Sequence, residues 1–158
     1  ALGRLLARIT KARYQMTPVV WETAAERREG DQSYTVIDPT DDDRRDYRRV
    51  CDVSGASLII DQAVHHLAKG ATVLLAGFYA APIQFQFPAA FMREIDLRIS
   101  AEWQPEDMQF ALDLVSGGDL SLSGIITHDQ PYDSAETAYQ QAFSDPRCLK
   151  MVLDWRDA

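Results

Sequence analysis

Leu2-Gly3-Arg4-Leu5-Leu6-Ala7-Arg8-Ile9, followed by Pro18-Val19-Val20-Trp21-Glu22, is the stretch on which the reading of this chain turns. Leu2, Leu5, Leu6 and Ile9 share one face of a helix, because residues three and four apart lie one above the other. The spacing predicts a helix over 2–12, opened at Gly3, and a short apolar strand over 18–22 closed by Glu22. Glu22 lies 19 positions beyond Gly3. In a dinucleotide-binding βαβ unit the last glycine of G-x-G-x-x-G opens the helix, and an acidic residue about 20 positions on accepts the ribose hydroxyls. Ala1-Leu2-Gly3 therefore reads as the tail of that fingerprint, with the expectation that a first strand and two earlier glycines lie outside this chain.

Beyond Glu22, strand and helix patterns alternate, as they do where a parallel sheet is covered on both faces. The polar stretch 23–31 suits a short helix and Tyr34 to Ile37 a strand. The acids and arginines from Asp41 to Asp46 read as a solvated connection or a helix start. Arg49 to Val53 resumes as a strand ending in Ser54-Gly55. Ile60, Ala63, Val64 and Leu67 predict a helix with Ser57 as N-cap and Gly70 as its stop. Thr72 to Ala76 reads as a buried strand ending at Gly77, Gln84 to Phe87 alternates in period two, and Asp96 to Ala101 is a further strand. Met108, Ala111, Leu112 and Val115 mark a helix ended by Gly117-Gly118. Thr127-His128-Asp129, before Pro131, reads as a loop after a strand. Ala135, Ala138, Tyr139, Ala142 and Phe143 mark a last helix, with Asp133 and Glu136 at capping-box spacing, and Leu149 to Leu153 is a final strand. The fold class is α/β, a Rossmann-type doubly wound parallel sheet incomplete at its N-terminus, and 1–158 reads as one NAD-binding domain.

Composition narrows the partners. The chain has 158 residues, 46% hydrophobic and 25% charged, enough for a proper core. A net charge of −8 and a pI near 4.8 argue against nucleic acid or an anionic membrane surface, and for a small molecule or another protein. The longest apolar stretch, Ala71 to Ile83, is broken by Gly77 and Pro82 and falls short of the roughly 20 residues a membrane span needs. Cys51 and Cys148 stand far apart with no C-x-x-C pair, which suits free thiols in a reducing cytoplasm and no structural metal.

In open parallel sheets ligands bind beyond the carboxyl ends of the strands. Here those ends are Glu22, Ser54-Gly55 and Gly77-Phe78. Glycine there lets the backbone approach a ligand closely, although either glycine alone reads equally well as a turn residue. A carboxylate at Glu22 accepts from two ribose hydroxyls and repels a 2′-phosphate, which favours NAD over NADP. Arg27 and Arg28 are what a 2′-phosphate would recruit; the plainer reading, solvated helix-surface charges, is the stronger. His65 and His66 are adjacent and cannot form an i, i+4 metal pair, so they read as structural. His128 reads as an anchoring residue ahead of a general acid or base. Ser54-Gly55-Ala56-Ser57 lacks the G-x-S-x-G elbow, which makes hydrolase chemistry a poor fit.

Arg49-Val50-Cys51-Asp52-Val53-Ser54-Gly55, Leu67-Ala68-Lys69-Gly70-Ala71-Thr72-Val73-Leu74-Leu75-Ala76-Gly77, Ile125-Ile126-Thr127-His128 and Leu149-Lys150-Met151-Val152-Leu153 occur in an order that resembles the nucleotide-binding half of the medium-chain dehydrogenase/reductase superfamily, the zinc-type alcohol dehydrogenase relatives. The resemblance implies hydride transfer from a secondary alcohol to NAD. It places Gly3 at the pyrophosphate, Glu22 at the adenosine ribose, Val53, Ser54, Gly55, Ala76, Gly77 and Phe78 along the cofactor, and Lys150 near its phosphates or ribose. It also implies a homodimer paired through an edge strand, and catalytic residues, with any zinc, in a domain this chain does not include. Gly77-Phe78-Tyr79, Phe85-Gln86-Phe87-Pro88 and Ala101-Glu102-Trp103 look most like a branch whose substrate is a tetrapyrrole. On that likeness Tyr79, Phe85 and Trp103 offer flat apolar surface to a macrocycle, against the ordinary reading of core packing. Three alternatives stay open: a medium-chain enzyme or quinone reductase with another substrate, a Rossmann-like methyltransferase, and a nucleotide-binding module without turnover.

Overall fold

A computed structural model of the chain describes residues 1–29 and 33–156. In chain order its elements are α1 (Leu2–Tyr14), β1 (Val19–Trp21), α2 (Ala25–Arg28), β2 (Thr35–Ile37), a 3-10 turn (Pro39–Asp41), β3 (Tyr47–Asp52), α3 (Ile59–Val64), β4 (Leu67–Leu75), α4 (Phe87–Arg93), β5 (Asp96–Ile99), α5 (Pro105–Ser116), β6 (His128–Pro131), a second 3-10 turn (Tyr132–Ser134), α6 (Ala135–Ser144) and β7 (Met151–Asp154). All pairing is parallel: β1 with β2, β4 between β3 and β5, and β6 with β7. The α/β class with parallel pairing is as the alternation predicted.

The chain forms two compact units, Ala1–Asp41 with Pro105–Ala158, and Asp42–Gln104. In the first, α1 runs past the expected end at Ala12. Gln15 adopts the left-handed conformation and donates its N–H to Lys11 O at 2.9 Å, while Lys11 and Arg13 in the last turn complement the helix dipole. Among the described residues of the expected 23–31 helix only Ala25–Arg28 is helical; Gly30 and Asp31 lie outside the described residues.

The second unit holds a core of Ile59, Ile60, Leu67, Ala71, Val73 and Leu75, with Tyr47, Val50, Tyr79, Ile83, Phe85 and Ile95 packed around it. Leu67 and Val73 are fully buried, and burial of such a side chain is worth about 1.5–3 kcal/mol. The expected helix from Ile60 to Leu67 is cut short here. α3 ends at Val64, and Leu67 already belongs to β4. Gly70, expected as a helix stop, lies inside β4 at φ 72°, where pairing jumps from Tyr47–Leu67 to Arg49–Thr72. A left-handed glycine absorbs the extra residues of that irregularity. Ser57 does not cap α3 either; Leu58 occupies the N-cap with no side-chain bond.

Gln84 to Phe87 is not a strand. Ile83 and Phe85 face the core from a connecting segment, and Phe87 opens α4, with Pro88 in its first turn where a missing N–H is harmless. The alternation was real, but it came from a segment laid across the core. His128, expected in a loop after a strand, instead opens β6, and Thr127 just before it donates its N–H to Lys150 O at 3.1 Å. The capping box also fails: Ser134 is the N-cap of α6 without a side-chain bond, and Asp133 lies in the preceding 3-10 turn. Within the acidic run Asp42 is buried, not solvated, accepting from Tyr47 Oη at 2.8 Å and Arg44 N at 2.9 Å. Among the described residues no helix is long and apolar enough to cross a membrane.

Candidate functional site

In the first unit, β1 hands the chain to Glu22, whose N–H donates to Ile37 O at 3.0 Å and so extends the ladder with β2 by one bond. The Glu22 carboxylate turns back to accept from Ala24 N at 3.0 Å. Arg28 reaches across from α2: its Nη1 lies 2.8 Å from Glu22 O, 3.0 Å from Thr23 O and 2.9 Å from Asp38 Oδ2. Asp38, just past β2, accepts on its other oxygen from Thr40 N at 3.0 Å and Thr40 Oγ1 at 2.7 Å. Those Thr40 bonds, and then the Arg28 charge, hold its carboxyl below the ordinary range. Arg27 donates through Nε to Pro146 O, and its own carbonyl accepts from Arg4 Nη2 at 2.8 Å. Both arginines are half-buried and engaged, which corrects the expectation of solvated surface charges. Helical spacing does not show those partners, because they lie outside α2, at the β1 tip and past β2 for Arg28 and at Pro146 for Arg27.

Gly3 lies in the first turn of α1, where Leu5 N donates to Ala1 O at 3.1 Å. The backbone nitrogen of Ala1 lies within electrostatic reach of Arg27, Arg4, Glu22 and Lys150. The start of α1, Glu22 and Lys150 thus share one electrostatic neighbourhood. Lys150 precedes β7, and its carbonyl accepts from both Thr127 N and His128 N. A helix N-terminus beside a lysine favours an anion, and a carboxylate at a strand tip favours hydroxyl donors.

In the second unit, β3 and β4 end side by side at Asp52 and Leu75, and Ala76 N donates to Asp52 O at 2.8 Å. The two loops that follow meet through their backbones. A Cβ added to Gly55, at φ +76°, would lie 2.3 Å from Phe78 O, and one added to Gly77 would lie 2.8 Å from Gly55 N. Both positions therefore require glycine. Asp52, only 5% exposed, organises this junction. It accepts from Ser54 N at 3.1 Å, Ser54 Oγ at 2.7 Å, Gly55 N at 3.4 Å and the Tyr79 hydroxyl. Sequence reasoning missed Asp52 as a functional position; the available signal was an acid placed directly before Val-Ser-Gly at a strand end.

Burial, followed by the bond to Asp52, raises the Tyr79 phenol well above its ordinary value. The Tyr79 and Phe85 side chains pack on the core cluster. Phe78 is 92% exposed and Trp103 is also exposed, while Val53 is half-buried. Val53, Ser54, Gly55, Ala76, Gly77 and Phe78 are thus gathered at one pair of strand ends.

No family model matches the chain. It is 57% identical over 155 residues, 98% of its length, to 2-desacetyl-2-hydroxyethyl bacteriochlorophyllide A dehydrogenase of Cereibacter sphaeroides, covering 49% of that protein. The protein of the same name from Rhodobacter capsulatus is 54% identical over 157 residues, 99% of this chain and 50% of its own. The chain resembles the nucleotide-binding half of a medium-chain dehydrogenase. It spans about half the length of the curated relatives it matches. In fold it is similar to an Escherichia coli alcohol dehydrogenase complexed with NADH, at TM-score 0.79 and 18% identity over 95% of this chain and 48% of that one. A zinc-binding dehydrogenase from Sinorhizobium meliloti bound to NADP gives TM-score 0.70 and 18% identity over 96% and 50%.

His66, His128 and Ser54 hold turns. His66 Nδ1 lies 2.9 Å from both Arg44 O and Arg45 Nη1. His128 Nδ1 lies 2.9 Å from Thr127 Oγ1, and its Nε2 lies 3.6 Å from Asp145. Ser54 Oγ donates to Asp52 and accepts from Ala56 N at 3.1 Å, so its hydroxyl is engaged in the turn and not set against a base. Among the described residues no group of three or more His, Cys, Asp or Glu gathers as a metal site.

Proposed function

We propose that this chain is the NAD-binding half of a dehydrogenase that oxidises the 1-hydroxyethyl substituent of bacteriochlorophyllide a to acetyl. The observation that carries the substrate is 57% identity across 98% of the chain to an enzyme of that name. The residues present fit a dinucleotide: a helix N-terminus beside Lys150 and a carboxylate at Glu22 in one unit, and in the other two strand-end loops that touch without room for a Cβ. When bound, the nicotinamide supplies the carbon that accepts hydride from the carbinol C–H, while the hydroxyl proton leaves to a base and a ketone forms.

The chain's own residues bind and orient. Gly3 and Lys150 meet the pyrophosphate, Glu22 meets the adenosine ribose hydroxyls, and Val53, Ser54, Gly55, Ala76, Gly77 and Phe78 line the cofactor. Tyr79, Phe85 and Trp103 bound the tetrapyrrole side in this reading. NAD is favoured over NADP because the Glu22 carboxylate repels a 2′-phosphate and the Arg28 guanidinium is paired with Asp38. The reading treats 1–158 as one cofactor domain, with catalytic residues in the part of its relatives' length that the chain does not span.

The enzyme is proposed to work in the cytoplasm, where Cys51 and Cys148 stay as thiols. It is proposed to form a homodimer through β5, whose four residues are all exposed and which pairs with β4 alone among the described strands. Exposed Phe87, Phe91 and Met92 add apolar surface in the same unit. The test is the complete enzyme carrying this chain, mixed with NAD⁺ and the hydroxyethyl pigment. Formation of NADH together with the acetyl product supports the proposal. NADH formed only from a sugar alcohol, or from nothing offered, overturns the substrate.

A further inference from the structure

We infer that Arg28, held by Asp38, is a positioning residue for the unphosphorylated ribose: it grips the β1 tip that carries Glu22, and its ion pair keeps the guanidinium from a 2′-phosphate. The inference rests on the dinucleotide reading above and adds to it a residue pair that decides between the two cofactors. One nitrogen, Nη1, is within hydrogen-bond distance of the carbonyls of two consecutive residues, Glu22 and Thr23, and of the Asp38 carboxylate. Asp38 is itself oriented, since Thr40 occupies its other oxygen with two donors. The Arg28 and Asp38 side chains keep only 28% and 25% of their accessible surface.

An ion pair of that exposure adds little stability. Its consequence lies in where it places charge. Glu22 is fixed from three directions: its N–H on Ile37 O, its carbonyl on Arg28, and its side chain on Ala24 N. Glu22, Arg28 and Asp38 together leave one net negative charge at the tip, which suits hydroxyl donors and opposes a dianionic phosphate. An arginine released from its carboxylate would present the planar donor fork that phosphate prefers. Arg27 is directed away from Asp38, with its Nε on Pro146 O.

The experiment measures NADH and NADPH dissociation constants by calorimetry on the complete enzyme carrying this chain, for the parent, Asp38→Asn and Arg28→Met, with melting temperatures alongside. In Asp38→Asn the amide oxygen can keep the Thr40 bonds while the charge is lost. The parent is expected to prefer NADH, and Asp38→Asn to narrow that preference about tenfold, mainly by tightening NADPH. Arg28→Met is expected to weaken NADH severalfold with no selective loss of NADPH, because an anchor of Glu22 is removed and not a phosphate ligand. An unchanged preference in Asp38→Asn at an unchanged melting temperature overturns the inference, as does selective loss of NADPH in Arg28→Met. A parent that binds neither nucleotide overturns the dinucleotide reading, and this inference with it.

Discussion

At the β1 tip the chain is shaped by charge: Arg28 bridges two carbonyls and the Asp38 carboxylate. At the ends of β3 and β4 it is shaped by contact, with Gly55 and Gly77 touching and Asp52 buried beneath them. The first arrangement is half-exposed, so altering one charge there should change what the tip attracts while the fold survives. The second has no spare volume, so a single added carbon should disturb the fold itself. One unit thus holds its strand tip with polar groups that can be re-paired, where the proposed selectivity would reside, and the other holds its shape in closely packed backbone.

The largest expected effect is at the rigid region. Gly55→Ala places a Cβ against Phe78 O in a left-handed conformation, and should cost about 3 kcal/mol or more. Urea denaturation would read this as a lower midpoint at similar slope, and an unchanged midpoint would erase the contrast between the regions. Asp52→Ala comes next, because it strips the acceptor from four donors. The expected loss is about 2–3 kcal/mol, with Asp52→Asn losing less; equal stability of all three proteins would show the buried carboxylate to be incidental.

Glu22→Ala tests the polar region in the opposite way. It should weaken NADH binding to the complete enzyme by about 1–3 kcal/mol, the range for lost charge-assisted hydrogen bonds, while the unfolding midpoint barely moves. Calorimetry that finds affinity unchanged would sink the assignment of Glu22 to the ribose. A large loss of stability would mean that the tip is structural in the same sense as the Gly55–Gly77 junction.

Much of this contrast was hidden in the sequence for physical reasons. Strand alternation and the Gly3-to-Glu22 spacing are local, and they were legible: β1, β3 and the parallel α/β class follow from them. Gly55 and Gly77 were recognisable as strand-end glycines, but the need for glycine comes from their contact with each other's loop, a pairing between positions 22 apart. Arg28 read as a surface charge because its partner, Asp38, follows a different strand. Helical spacing from Ile60 to Leu67 crossed a chain reversal at His65–His66 without a break in the apolar pattern, so the start of β4 was missed. Periodicity reports which side chains face the core, and it does not report whether the backbone between them is helix, strand or neither.

The smallest expected effects separate the two regions by pH. Asp38 has its folded value lowered by the Thr40 bonds and then Arg28, so it adds stability above its unfolded value of 3.8, lost as the pH falls through the folded one. Tyr79 has its folded value raised, first by burial and then by Asp52. Its contribution is complete below the unfolded value of 10.0 and is lost as the pH rises beyond it. Tyr47, pushed up to about 12 by burial and then by Asp42, acts in the same alkaline range. Asp38→Asn should therefore flatten the acid limb of the stability profile and leave the alkaline limb alone, and Tyr79→Phe should do the reverse. Denaturant midpoints taken from pH 3 to pH 11 for the two variants decide it. If both variants flattened the same limb, the polar tip and the buried junction would be one coupled unit, and the separation between selectivity and shape would fail.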